Sequence, residues 1–133
     1  MKLLNISNHP SSGWSEEQKR GWKVFDIPFP AVPAEAGEAE VASLANSIAV
    51  QVMELYRRFP FDAITIQGEF SLCYLLLGKL AKWLSANNIS IAIPTTERKV
   101  VGKNGKKVSE FEFVRWRMLS PAFLFNQKEV ENE

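Results

Sequence analysis

The chain has 133 residues, the length of one ordinary domain, and is 46% hydrophobic against 23% charged, which suits a buried core and excludes a disordered chain. Sixteen Lys+Arg against fifteen Asp+Glu leave a net charge of +1, which excludes a basic coat for extended nucleic acid and an acidic solvating tail. The charge is uneven: residues 31–70 hold six acids and two bases, while 98–117 hold seven bases and two acids, so an anionic partner belongs near the second stretch.

Residues 2–6 (K-L-L-N-I) read as a short strand, followed by a polar turn from Ser7 to Gly13. Ser15 and Gln18 have capping-box spacing, which predicts a short helix over 15–21. Residues 23–27 (K-V-F-D-I) read as a second strand, and Pro28, Pro30 and Pro33 then enforce an extended connector. Over 38–58, Val41, Leu44, Ala45, Ile48, Val52, Leu55 and Tyr56 recur at three- and four-residue steps, the period of an amphipathic helix. Arg57 and Arg58 complement its dipole and Pro60 stops it. Residues 63–67 (A-I-T-I-Q) read as a strand ending at Gly68. Residues 70–86 predict a helix apolar on more than one face, hence central or packed on a second subunit, with Asn87-Asn88 ending it. Residues 89–93 are a buried-type strand, followed by Pro94 and the polar group Thr95-Thr96-Glu97-Arg98. Two further strands, 99–102 and 107–117, flank Asn104-Gly105, a strong hairpin signal. The alternation predicts one α/β domain over 1–120, three layers around a mostly parallel sheet, with right-handed crossovers and a C-terminal β-hairpin, then a tail over 121–133.

A single cysteine, Cys73, lies in an apolar run and reads as a small buried hydrophobe; alone, it forms no intrachain disulfide. One cysteine and one histidine make no zinc site, and no carboxylate cluster suggests magnesium. The N-terminus is too short and polar for a signal peptide and no run is long enough to span a membrane, so a soluble cytoplasmic protein is expected.

Open α/β sheets bind ligands beyond the carboxyl ends of their parallel strands. Three polar clusters fall there: Ser7-Asn8-His9-Pro10, Gln67-Gly68-Glu69-Phe70-Ser71 and Thr95-Thr96-Glu97-Arg98. Gly68 either lets a phosphate approach the free N–H groups of a helix N-terminus or simply makes the turn. Ser71 is either a phosphate ligand or an ordinary first-turn residue. His9, the one histidine, is either a general acid/base or an exposed side chain held by Pro10. Asn8 either hydrogen-bonds a ligand or forms an Asx turn. Arg98 has the fork geometry for phosphate, with Glu97 placed to orient it. A period of two puts Phe111, Phe113, Arg115 and Arg117 on one face: either a nucleotide face or core rings with solvated arginines. Trp14, after the polar turn, either covers a ligand pocket or packs in the core.

The set S-N-H-P-S-S-x-W-S-E-E-Q, D-I-P-F-P, Q-G-E-F-S, T-T-E-R-K-V and F-x-F-V-R-W-R resembles small CRISPR-associated proteins with a Rossmann-like, CARF-related fold. Their group contains ring nucleases, which degrade cyclic oligoadenylate messengers, and proteins that only sequester them. The resemblance covers residues 2–118; Q-G-E-F, T-T-E-R and V-R-W-R in that order carry most of it. It implies a homodimer binding cyclic tetra-adenylate across the subunit interface, with no metal or other cofactor. The residues it carries over are Ser7 and His9, the Gly68-Glu69-Phe70 turn, and Thr96 with Arg98; the Ser11–Trp14 loop is longer than in the family. The reaction implied is attack of a ribose 2′-hydroxyl on the adjacent phosphorus, giving a 2′,3′-cyclic phosphate. His9 would be acid or base, and Arg98 with amides near Gly68 and Glu69 would stabilise the phosphate charge. With Ser7 as a third catalytic candidate, the ligand-binding set is then Asn8, Gly68, Glu69, Phe70, Ser71, Thr95, Thr96, Arg115 and Arg117. Sequestration without cleavage, a linear-RNA-binding module using the basic hairpin, and a flavodoxin-like small-molecule protein are the alternatives.

Overall fold

Strand and helix patterns alternate in the structure as they do in the sequence. In a computed structural model, which describes residues 1–126, β1 (Lys2–Ser7), α1 (Glu16–Lys19), β2 (Lys23–Pro28), α2 (Glu38–Arg58), β3 (Ala63–Gln67), α3 (Phe70–Ala86), β4 (Ser90–Lys103) and β5 (Lys106–Leu119) follow one another. Short 3-10 turns occupy Ser11–Gly13 and Pro121–Leu124. The second of these begins the expected tail and buries Pro121 and Ala122; the acidic end of that tail lies outside the described residues. The strand order is β2-β1-β3-β4-β5, parallel through β4 and antiparallel at β5.

Local chemistry sets the element ends. The Ser15 hydroxyl accepts the Gln18 amide at 3.2 Å, so the expected cap forms, and α1 closes after a single turn. α3 ends in a Schellman motif. Asn88 takes the left-handed conformation (φ 55°), its amide bonds the Ser85 carbonyl at 3.2 Å, and the Ile89 amide bonds that of Leu84 at 2.9 Å. Asn104 and Gly105 both have positive φ (52° and 77°), the requirement of a two-residue type I′ hairpin turn.

The two faces of the sheet are covered unequally. Leu4, Ile6 and Ile64 pack under α2 and α3 with Val41, Ile48, Val52, Leu72, Leu76 and Leu80. On the other face Leu3, Ala63 and Ala92 lie under Trp14, Trp22 and Trp116, supplied by the β1–β2 connection and by β5. Right-handed crossovers demand this division: the chain moves one way from β1 to β2 and the other way from β2 through β3 to β4. α3 serves the core through Leu72, Leu76, Leu80, Ala81 and Leu84, and leaves Phe70 and Tyr74 exposed. Cys73 is half-buried on that helix, and desolvation pushes its thiol above the ordinary value.

The hairpin corrects two expectations. Thr95-Thr96-Glu97-Arg98 is not a loop at a strand end; these residues continue β4, because β5 pairs with every residue from Ile91 to Lys103. β3 pairs with β4 only at Ala63↔Ser90 and Ile64↔Ile91, so the longer strands leave the sheet as a two-stranded arm. Second, the register slips at Val114: Thr95 pairs with Arg115, but Thr96 pairs with Phe113. This bulge breaks the period of two. Phe111 and Phe113 share the face of Arg98 and Thr96, with Phe113 5.7 Å from the Trp116 ring. Arg115 and Arg117, opposite Thr95 and Ile93, fall on the other face.

Candidate functional site

The chain leaves β1 over one face and β3 over the other, so the topological switch point lies between them at their carboxyl ends. Ser7 and Gln67 are paired there. A cavity of about 570 Å³ opens above them. The β1 turn supplies Ser7, Asn8 and His9, the cover supplies Trp14 and Gln18, β3 supplies Gln67, and the arm supplies Pro94, Thr96 and Phe111. Phe111 is 73% exposed, an unusual state for a phenyl ring, and it forms the outer wall. His9 supplies the one imidazole in the lining, and no Lys, Arg, Asp or Glu lines the cavity among the described residues.

Beneath the cavity, register places Asp26, Asn5 and Thr65 side by side across β2, β1 and β3. Asn5 is 1% exposed, and such an amide must be satisfied internally. Its Nδ2 donates to Asp26 Oδ1 at 2.8 Å and to the His9 carbonyl at 3.0 Å, while its Oδ1 accepts the Ser7 hydroxyl at 2.8 Å. Asp26 also accepts the Ser11 amide at 3.2 Å and hydroxyl at 2.7 Å. Trp14 Nε1 donates to the same His9 carbonyl at 3.0 Å. The turn carrying His9 is thus fixed through its backbone, leaving the imidazole exposed toward the cavity. A second chamber of about 260 Å³, lined by Asp26, Asn5 and Pro28, adjoins it and shares Ser7, Asn8 and Pro10.

The structure brings together only part of the expected set. Ser7, Asn8, His9 and Thr96 meet in the cavity, with Trp14 and Gln67 beside them. The Ser7 hydroxyl is buried and committed: it donates to Asn5 or the His9 carbonyl and accepts the His9 amide at 3.1 Å. Gly68, Glu69, Phe70 and Ser71 do not line the cavity. Gly68 lies against the Phe29 ring, where a Cβ would collide, so close packing explains the glycine. Glu69 caps α3 with its own carboxylate, which accepts the Ser71 amide at 2.9 Å and the Leu72 amide at 3.0 Å. These amides hold its carboxyl below the ordinary value, and a helix end so capped is closed to phosphate. Phe70 and Ser71 line a separate groove with Val41 and Tyr74. Thr95, Arg115 and Arg117 lie outside the cavity lining, Thr95 bonding the Arg115 backbone through its Oγ1. Arg98 sits further along the arm on the cavity-side face, its Nε and Nη2 donating to Ser109 Oγ at 3.1 and 2.9 Å. The ion pair expected between Glu97 and Arg98 is replaced by Lys99 with Glu112, whose hydrogen bond and charge raise the lysine's pKa.

Two residues escape the sequence reading, Asn5 and Asp26. Each is the one polar residue inside an otherwise apolar run, L-L-N-I and V-F-D-I, at the same position. That shared interruption was the available signal. Among the described residues no group of three or more His, Cys, Asp or Glu is placed to hold a metal, and no helix is long and apolar enough to cross a membrane.

The model of the family described as Uncharacterized protein MJ1673 matches residues 1–117, and the chain belongs to that family. The match spans all four parallel strands and every residue lining the cavity. No curated protein and no solved structure matches the chain.

Proposed function

We propose that this member of the Uncharacterized protein MJ1673 family is a CRISPR-associated, cytoplasmic ring nuclease that binds cyclic tetra-adenylate and opens it without a metal. The observation that carries the reading is the convergence of the His9 turn, Thr96 and two aromatic side chains, Trp14 and Phe111, in one cavity at the switch point. Its 570 Å³ fits a small-molecule site and is too small for a whole four-nucleotide ring, so the reading takes a homodimer sharing the ligand. In the reaction a ribose 2′-oxygen bonds the adjacent phosphorus as the bond to the 5′-oxygen breaks. His9 accepts the 2′-hydroxyl proton and the leaving 5′-oxygen takes one from solvent water, giving a 2′,3′-cyclic phosphate end and a 5′-hydroxyl. Arg98, which keeps three N–H donors beyond those given to Ser109, stabilises the phosphoryl charge. The α3 amides have no part, since Glu69 already occupies them.

Chromatography of cyclic tetra-adenylate incubated with the protein in EDTA tests this. Linear product is expected, and His9→Ala should slow its appearance about a hundredfold or more. Absence of linear product sinks the nuclease reading. A second reading, sequestration without cleavage, is favoured by the committed Ser7 hydroxyl and by His9 standing alone as acid–base group; it predicts ligand retained intact and stoichiometrically.

A further inference from the structure

We infer that the switch-point cavity takes the base of a purine nucleotide, adenine rather than hypoxanthine, and that the phosphates lie outside it, on the arm face that carries Arg98. The inference rests on the nucleotide reading above and divides the ligand between two surfaces.

Charge makes the division. A phosphate buried without a cationic partner is strongly disfavoured. Among the described residues the cavity lining offers no lysine or arginine, and the N-terminus of α3, which follows β3, spends its Ser71 and Leu72 amides on Glu69. What the lining does offer suits a flat, neutral, hydrogen-bonding ring. Trp14 is oriented by its Nε1 bond to the His9 carbonyl and packs 5.6 Å from the Trp116 ring, which presents it as a stacking platform. Phe111 stands largely solvent-exposed at the mouth, where covering it by a base removes apolar area from water.

Gln67 supplies the edge reader. Its Nε2 donates to Thr65 Oγ1 at 3.4 Å, which turns the carboxamide and leaves its Oε1 and a second N–H for a ligand. That donor–acceptor pair matches the exocyclic amine and N7 of adenine. On the same edge hypoxanthine presents a carbonyl beside N7, two acceptors that no orientation of the carboxamide satisfies together. Arg98 lies two residues along the strand from Thr96, which lines the cavity, and on the same face as Phe111.

The test titrates the full chain with adenosine, inosine and inorganic phosphate, followed by tryptophan emission and calorimetry. Adenosine should bind saturably, inosine on the order of tenfold more weakly, and phosphate should neither bind the cavity nor compete. Gln67→Leu should erase the adenosine–inosine difference, and Arg98→Ala should leave adenosine binding unchanged while weakening cyclic tetra-adenylate and flattening its salt dependence. The nucleoside pair is compared on the unaltered protein, so the inference does not depend on a variant folding. Phosphate competing with adenosine, equal adenosine and inosine affinities, or no adenosine binding in a protein that binds cyclic tetra-adenylate would each overturn it. Adenosine binding with no affinity for the cyclic ligand would uphold the base pocket and overturn the ring-nuclease reading.

Discussion

Replacing Asn5 by leucine tests whether the buried amide holds the site together. The two side chains are close in volume, so the change removes hydrogen bonds without opening a cavity. Three are lost: to Asp26 at 2.8 Å, to the His9 carbonyl at 3.0 Å and from Ser7 at 2.8 Å. None of the partners is stranded. The His9 carbonyl keeps Trp14 and Ser7, the Ser7 hydroxyl keeps His9, and Asp26 keeps Ser11 and reaches water. Two neutral bonds at about 1 kcal/mol each and one to a carboxylate at about 1.5 kcal/mol give a gross loss of roughly 3.5 kcal/mol. Extra apolar burial by leucine returns about 1 kcal/mol, for a net destabilisation of roughly 2.5 kcal/mol. Urea denaturation read by circular dichroism should show a lower midpoint with an unchanged slope. A loss under about 1 kcal/mol would refute the view that Asn5 is the structural centre of the turn. Asn5→Asp sharpens the test. It sets a second carboxylate against Asp26, which raises the pKa of the pair in the folded state. A raised folded pKa stabilises below the unfolded value and is lost as pH rises, so this variant should recover stability on acidification.

Three further outcomes follow from the geometry. Glu69 has a depressed carboxyl, so its capping is present above the ordinary value of 4.5 and is lost as pH falls below it; Glu69→Gln should remove that acid-side component from the stability–pH curve. Gly68→Ala should destabilise by about 1–3 kcal/mol because its Cβ meets the buried Phe29 ring, and pairing it with Phe29→Leu should recover part of the loss. Gly78, mid-helix in α3 with open space around any Cβ, should give a protein about 0.5–1 kcal/mol more stable when changed to alanine, measured as a raised melting temperature.

The sequence was most informative where one residue type decides the local backbone. Pro60 stops α2, Asn87-Asn88 close α3, and Asn104-Gly105 makes the hairpin turn, and in each case the structure follows. It was least informative where a distant partner decides. Nothing local in Pro94-Thr95-Thr96-Glu97-Arg98 announces a strand; β5 makes it one by pairing along its whole length. The bulge at Val114 is invisible to a count of alternation, yet it separates Phe111 and Phe113 from Arg115 and Arg117. Asn8 and His9, singled out because polar residues after a strand have few structural reasons to be there, do line the cavity. Gly68 and Glu69 lie outside it, because a glycine and an acid at a helix start serve packing and capping as readily as ligand binding.

The unequal cover of the sheet has a dynamic consequence. Neither the 3-10 turn at Ser11–Gly13 nor α1 contains a buried residue, so this strap is held mainly by Trp14, Trp22 and a few hydrogen bonds. Segments so lightly anchored open at a free energy well below that of global unfolding. Amide exchange along residues 8–20 should therefore run ahead of exchange in α2 and α3. A ligand gripped between Trp14 on the strap and Phe111 on the arm would tie the two together. The tryptophans already report on this: Trp14, Trp22 and Trp116 sit on the strap side, while Trp83 packs 5.2 Å from Tyr56 on the other. Emission from the first three should respond to strap opening long before Trp83 leaves its core, so the chain carries a built-in distinction between local opening and loss of the fold.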